Sequence, residues 1–160
     1  MDMVIQKDIG SVVENRVAST PLVWTAAGTG DNTTLTGISI DREAVLSGGA
    51  GSPALSAKFT ALFGTTLASG ATLNIAWTIL DSADNSTFAT YASAAGVTVA
   101  TGVSGGGVVN SHSSINVNLS SAKRYIRADI VPNLSASGTD TAVAIIVATL
   151  AGFDRLPAPT

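Results

Sequence analysis

Residues 102–106, Gly102-Val103-Ser104-Gly105-Gly106, match G-x-S-x-G, and His112 follows closely, so a serine nucleophile with a histidine base is the first chemistry to test. That elbow works only where a strand feeds a strained turn that opens into a helix and lifts the hydroxyl above a parallel sheet. Three consecutive glycines from Gly105 forbid the helix, so Ser104 reads as a loop serine. His112 is the only histidine in a chain without cysteine, which leaves no thiolate or second imidazole for a metal site. Asp81, Asp84 and Asn85 could lend oxygens to calcium. Their spacing is not that of an EF-hand, and side-chain caps on a turn explain them more simply. Lys123, Arg124 and Arg127 form the one local basic cluster; on an exposed strand such charges make a solvated or partner-facing surface before they make a phosphate site. Trp24 and Trp77 could stack on a sugar, but Trp77 shares its face with Leu73, Ile75 and Ile79 and reads as core, while Trp24 stays open. None of these sets amounts to an active site. The reading is a non-enzyme without cofactor or metal.

The elements that must position these residues are strands. In residues 72–91, TLNIAWTILDSADNSTFATY, apolar side chains alternate up to Leu80, which is the period of a half-buried strand. Asp81, Ser82, Asp84, Asn85 and Ser86 then favour a turn, and an extended pattern resumes at Thr87, so the segment predicts a central β-hairpin.

Around it the texture is β throughout. Residues 22–26 and 34–40 predict two strands. Residues 57–67 predict a third, with Phe59, Ala61 and Phe63 on one face, turned by Ser69-Gly70 into the hairpin to form the centre of one sheet. Residues 44–56 read as a Gly/Ser loop whose apolar tip, Val45 and Leu46, could dock on a neighbour. Residues 92–107 read as a weak strand inside a flexible loop, and 112–119 as a half-exposed strand. Residues 123–131 form another strand that Pro132 should end, because proline cannot donate to a ladder. The apolar run 141–153 predicts an interior strand covered on both faces. Residues 1–20, which hold the only helical spacing, read as an N-terminal arm, 21–153 as the β domain and 154–160 as a C-terminal tail. About eight strands with regular turns predict an all-β antiparallel sandwich, most simply a jelly roll with extended arms.

Composition narrows the partners. The 160 residues carry a formal charge of -3, with only 12% charged and 5% aromatic side chains. Eight Lys and Arg spread over the whole length supply no basic face for phosphates, so nucleic acid is not expected. The most apolar run, 142–151, is half the ~20 residues of a membrane-spanning helix, and the acidic start lacks the pattern of a secretory signal. The expectation is a protein made in the cytoplasm with no membrane partner. A mean hydropathy of +0.40 points to apolar surface buried against other chains, hence a small homo-oligomer, dimer or trimer.

A strand that ends in a polar turn and returns through an aromatic (77–91, WTILDSADNSTFATY), a basic-aromatic strand (123–130, KRYIRADI) and an apolar closing strand (142–150) together resemble the cement or decoration proteins of tailed-bacteriophage capsids. The resemblance spans residues 73–153. It implies a jelly-roll module on the outer surface of a phage head, made in the bacterial host, bridging capsomers of the major capsid protein and carrying no catalytic residues. It also makes Asp84, Asn85, Lys123, Arg124, Arg127, Val45 and Leu46 the candidate partner interface. The alternative within virion proteins is a tail or head-fibre module that binds a glycan or receptor, which would need exposed aromatics.

Overall fold

The computed structural model describes residues 13–43, 52–136 and 138–153, and these form nine strands and no helix. The strands are β1 Val13–Val17, β2 Leu22–Thr25, β3 Ile40–Asp41, β4 Ser56–Leu67, β5 Thr72–Ser82, β6 Ala89–Thr101, β7 Gly107–Asn118, β8 Tyr125–Leu134 and β9 Thr141–Ala151. Alternation explains the long ones. Every second residue of β5 from Leu73 to Ile79 is at most 3% exposed, and the same period buries Phe59, Ala61, Phe63 and Leu67 in β4.

Two antiparallel sheets result, in the orders β1-β9-β4-β7 and β3-β8-β5-β6, with β2 pairing β9 beyond the end of β1. Because β1 and β2 occupy one strand position in succession, the sandwich has eight positions in two four-position layers. The chain alternates between those layers as a jelly roll does. The inner faces meet in a core that includes Trp24, set edge-on to Phe63 with ring centroids 6.3 Å apart, and Trp77, whose Nε1 donates across the sheets to Ser113 Oγ at 3.0 Å.

Several expectations change. β4 and β5 lie in opposite sheets, so the turn at Ser69-Gly70 is an arch over the core and the two strands do not share a sheet; two apolar faces bury each other by stacking. The predicted strand at 34–40 reduces to a bridge between Leu35 and Ile130 and the two residues of β3. Residues 92–101, expected to be mostly loop, complete a thirteen-residue edge strand, β6, because pairing to β5 alone requires no bulky side chains. Pro132 lies inside β8: its carbonyl accepts Asn32 N at 2.8 Å on the side away from β5, so its missing N–H falls where no ladder bond is needed. β9 is flanked by strands on both edges but open on one face, where Val143 is 42% exposed. Within the segment read as an arm, residues 13–17 form β1, paired with β9.

One buried side chain closes the end where β3 passes to β4 and β7 passes to β8. Arg42, 7% exposed, donates through Nε to Lys123 O at 2.9 Å and through Nη1 to Ala54 O at 2.9 Å and Leu119 O at 2.6 Å. Nη2 donates to Ala122 O. A guanidinium presents these donors as a rigid fork that an ammonium cannot reproduce. Both Arg42→Met and Arg42→Lys are therefore expected to cost about 3 kcal/mol. Urea unfolding checks this, with lysine giving little rescue.

Candidate interaction surface

The expected interface residues fall into three places. Asp84 and Asn85 sit on the tip that joins β5 to β6. Asp84 Oδ1 accepts Ser86 N and Thr87 N at 2.9 Å each and Ser82 Oγ at 2.8 Å, which folds the tip around one carboxylate. Those bonds, the Thr87 and Ser86 amides first, hold the Asp84 carboxyl well below the usual carboxylate range. Asn85 takes the left-handed conformation with φ 59°, which asparagine tolerates better than most residues, and its side chain meets the Ser39 hydroxyl.

Lys123 and Arg124 lie at the same end of the sandwich, whereas Arg127 stands on the outer face of β8 opposite Leu80. The three cations do not converge on a ligand. Lys123 Nζ is 3.4 Å from Asp81 Oδ1, Arg124 Nη2 is 2.7 Å from Asp41 Oδ2, and Arg127 Nε is 2.9 Å from Asp129 Oδ1. Asp41, with which it forms both hydrogen bond and charge pair, raises the Arg124 pKa further. Arg127 also lies over the Phe88 ring, 4.4 Å from its centroid. Val45 and Leu46 fall outside the described residues.

The other motifs resolve into structure. Asp81 is 6% exposed and accepts Lys123 N at 3.0 Å, so it does not join Asp84 in a cation loop; among the described residues no group of three acidic or histidine side chains could hold a metal. Trp24 and Trp77 are 1% and 3% exposed, which removes both from any sugar platform. Ser104 lies in a loop between two strands, with no helix after it, and His112 stands well along β7 on its outer side. The first glycine of that motif has a steric duty instead. Gly102 N donates to Ala71 O at 2.7 Å and its carbonyl accepts Gly70 N at 3.0 Å, so closely that a Cβ there would stand 1.9 Å from Ala68 O.

A further surface, which the sequence reading missed, is the outer face of the sheet that contains β4. Register places Leu62 between Ile145 and His112, and Gly64 between Val143 and Asn110, with Val23 beyond Val143. Five of the nine exposed large hydrophobic residues among those described, Val17, Val23, Leu62, Val108 and Val143, stand on this face. Its titratable groups among the described residues are Lys58 and His112 alone. The signal was present in 142–151, which is apolar on both sides of the alternation.

No protein-family model matches this chain, and no curated protein matches it. Among solved structures, the chain is similar to the structure of the infectious bursal disease virus Gx strain (14% identity, TM-score 0.45, covering 89% of this chain and 33% of that one). It is also similar to the PBSX exported protein XepA (18%, TM-score 0.43, covering 99% and 43%) and to the VP2 subviral particle of infectious bursal disease virus (12%, TM-score 0.43, covering 87% and 32%). The chain thus spans about a third to two fifths of the structures it matches. The jelly-roll assignment rests on this chain's own strand order.

Two substitutions check the local accounts. Asp84→Asn is expected to speed amide exchange at Ser86 and Thr87 while leaving β5 protected. Because the folded pKa is depressed, the cap persists as pH falls through about 4, where ordinary carboxylates protonate, and is lost only well below it. Gly102→Ala is expected to cost about 3 kcal/mol, read as a lower unfolding midpoint, since backbone rather than a side chain blocks the added methyl.

Proposed function

We propose that this chain is a structural virion protein that decorates the outer surface of a phage head and stabilises contacts between capsomers of the major capsid protein. The observation that carries the reading is the preformed polar end. The Asp84 tip and the Asp41–Arg124 and Asp81–Lys123 pairs are already held by internal bonds, so docking there would order few side chains. Internal pairing also keeps the local field small, which suits a neutral protein neighbour better than a polyanion. The resemblance of residues 73–153 to phage cement proteins agrees with this. A shell repeats each contact many times, so a modest interface suffices to hold the particle together.

Heads lacking decoration, mixed with the purified chain, are expected to bind it on sedimentation and to disrupt at a higher temperature. No binding and an unchanged disruption temperature would end the proposal. The double substitution Asp84→Ala with Asn85→Ala is expected to weaken head binding by at least about tenfold while the free protein keeps its β spectrum. Undiminished binding would take the tip out of the interface.

A further inference from the structure

The two outer faces of the sandwich differ in chemistry, and the difference is not explained by binding at the polar end. Across the middle of the β3-β8-β5-β6 sheet the outward rows mix polar and apolar side chains, Asn74 with Asn133, Ala76 with Val131, Thr78 with the buried Asp129 and Leu80 with Arg127. Across the middle of the other sheet the part around β9 is apolar, with Val17 beside Val147, Ile145 beside Leu62 and Val23 beside Val143, and the rows end on β7 in the neutral or weakly basic Ser114, His112 and Asn110. An outward sheet face that faces only water has no physical reason to carry this pattern.

We propose that this apolar face joins two copies of the chain, packed sheet on sheet with Leu62 of each copy seated over Gly64 of the other. The relief of the face supports that register. Leu62 is 51% exposed and projects, while Gly64, two residues along the same side of β4, leaves a groove walled by Pro21, Val143, Ile145 and Asn110. A Cβ at 64 would meet only Val143 Cγ1 at 3.5 Å and Asn110 Oδ1 at 3.6 Å, so the space above the glycine is open to a side chain from outside. A two-fold axis running across the strands at the level of Phe63 brings knob to hole twice. It also sets Ile145 over Val143 of the second copy and His112 over Asn110 of the second copy.

Size and charge favour a second copy as the occupant. Four strand positions about 4.8 Å apart, over some eleven residues of about 3.4 Å rise, give a face on the order of 700 Å². That is close to the ~800 Å² which each partner contributes to a standard stable interface. Although each copy carries a formal charge of -3, no acidic side chain among the described residues stands on this face. Lys58, five residues from the axis, falls at the rim, where its head stays in water. Sheets packed this way cross at about 30°, which keeps the central rows in contact and lets the corners part.

The inference is independent of the capsid reading and is tested on the full chain alone. Sedimentation velocity is expected to give a species of twice 16.0 kDa. Leu62→Lys and Gly64→Asp, each made separately, are expected to yield folded monomers, because each homodimer would bury two unpaired charges. Mixed one to one, the two variants are expected to reassociate, since Lys at 62 then meets Asp at 64 of the other copy while the second knob and hole stay native. A native chain that remains monomeric at about 100 μM, well above the Kd of a stable interface, overturns the proposal. So does a dimer that neither substitution weakens by at least about tenfold. Failure of the mixture to reassociate overturns the Leu62-over-Gly64 seating. Should either variant not fold, Val108→Glu, at a site 71% exposed on the same face, takes its place, and an unchanged dimer there overturns the assigned face. A monomeric chain whose face substitutions abolish head binding would give the face to the shell instead.

Discussion

The sandwich depends on one buried cation. Arg42 directly follows β3, and its guanidinium gathers carbonyls from residue 54 and from 119, 122 and 123. Those segments are the two places at this end where the chain leaves one sheet for the other, β3 to β4 and β7 to β8. Crossing segments cannot close a ladder, so carbonyls there without another donor would be left buried at a cost of about 1–3 kcal/mol each; Leu119 O also accepts Ala122 N at 3.0 Å. A planar fork with five N–H groups satisfies several such carbonyls at once, and the carbonyls in turn replace the water that the charge has lost. Neighbouring bonds extend the clamp: Arg42 N donates to Arg124 O and Ala54 N to Arg42 O, both at 3.1 Å.

With that end fixed, the rest of the fold follows from small side chains. Along β9 the inward residues are Ala142, Ala144, Ile146, Ala148 and Leu150, and the bulk that fills the space between sheets comes from Trp24, Phe59, Phe63 and Trp77. Alternating small and large residues lets the two layers interdigitate without voids. The Trp77 to Ser113 hydrogen bond pays the polar cost of placing an indole there and fixes the relative position of the sheets.

Much of this was legible. The period of two in β4, β5, β7 and β8 gives strands whose inward residues are those the structure buries. What alternation cannot give is a strand's neighbour, because it specifies a face and not an edge partner. Hence β4 and β5 read as one sheet and are two. Pro132 misled for a related reason, since its effect depends on which side of β8 its nitrogen faces. At the candidate surface the Asp84 cap was visible in the run of turn-forming residues. The pairing of Lys123 and Arg124 was not, because Asp81 and Asp41 lie on β5 and β3, whereas Arg127 and Asp129 stand two residues apart on one side of β8, as alternation there implies. Arg42 has no sequence signature at all. A run apolar on both alternating faces, as in β9, is the same pattern whether the second face is covered by this chain or awaits another.

The two surfaces bear on one another through symmetry. The polar end, with Asp84, Arg124 and Lys123, lies at the C-terminal end of β5, where β4 begins and β7 ends. An axis across the strands at Phe63 reverses β4, so in the proposed pair the two polar ends point in opposite directions. Strands of eleven or twelve residues separate them by about 40 Å. Such a pair cannot place both ends on one site; it spans two. If both ends dock as proposed, binding at the first site holds the second end at high effective concentration near its own, so two weak polar contacts act as one strong bridge. The apolar outer face around β9 and the internally bonded polar end therefore lie on different sides of one small domain, so the proposed pairing through the first leaves the second uncovered.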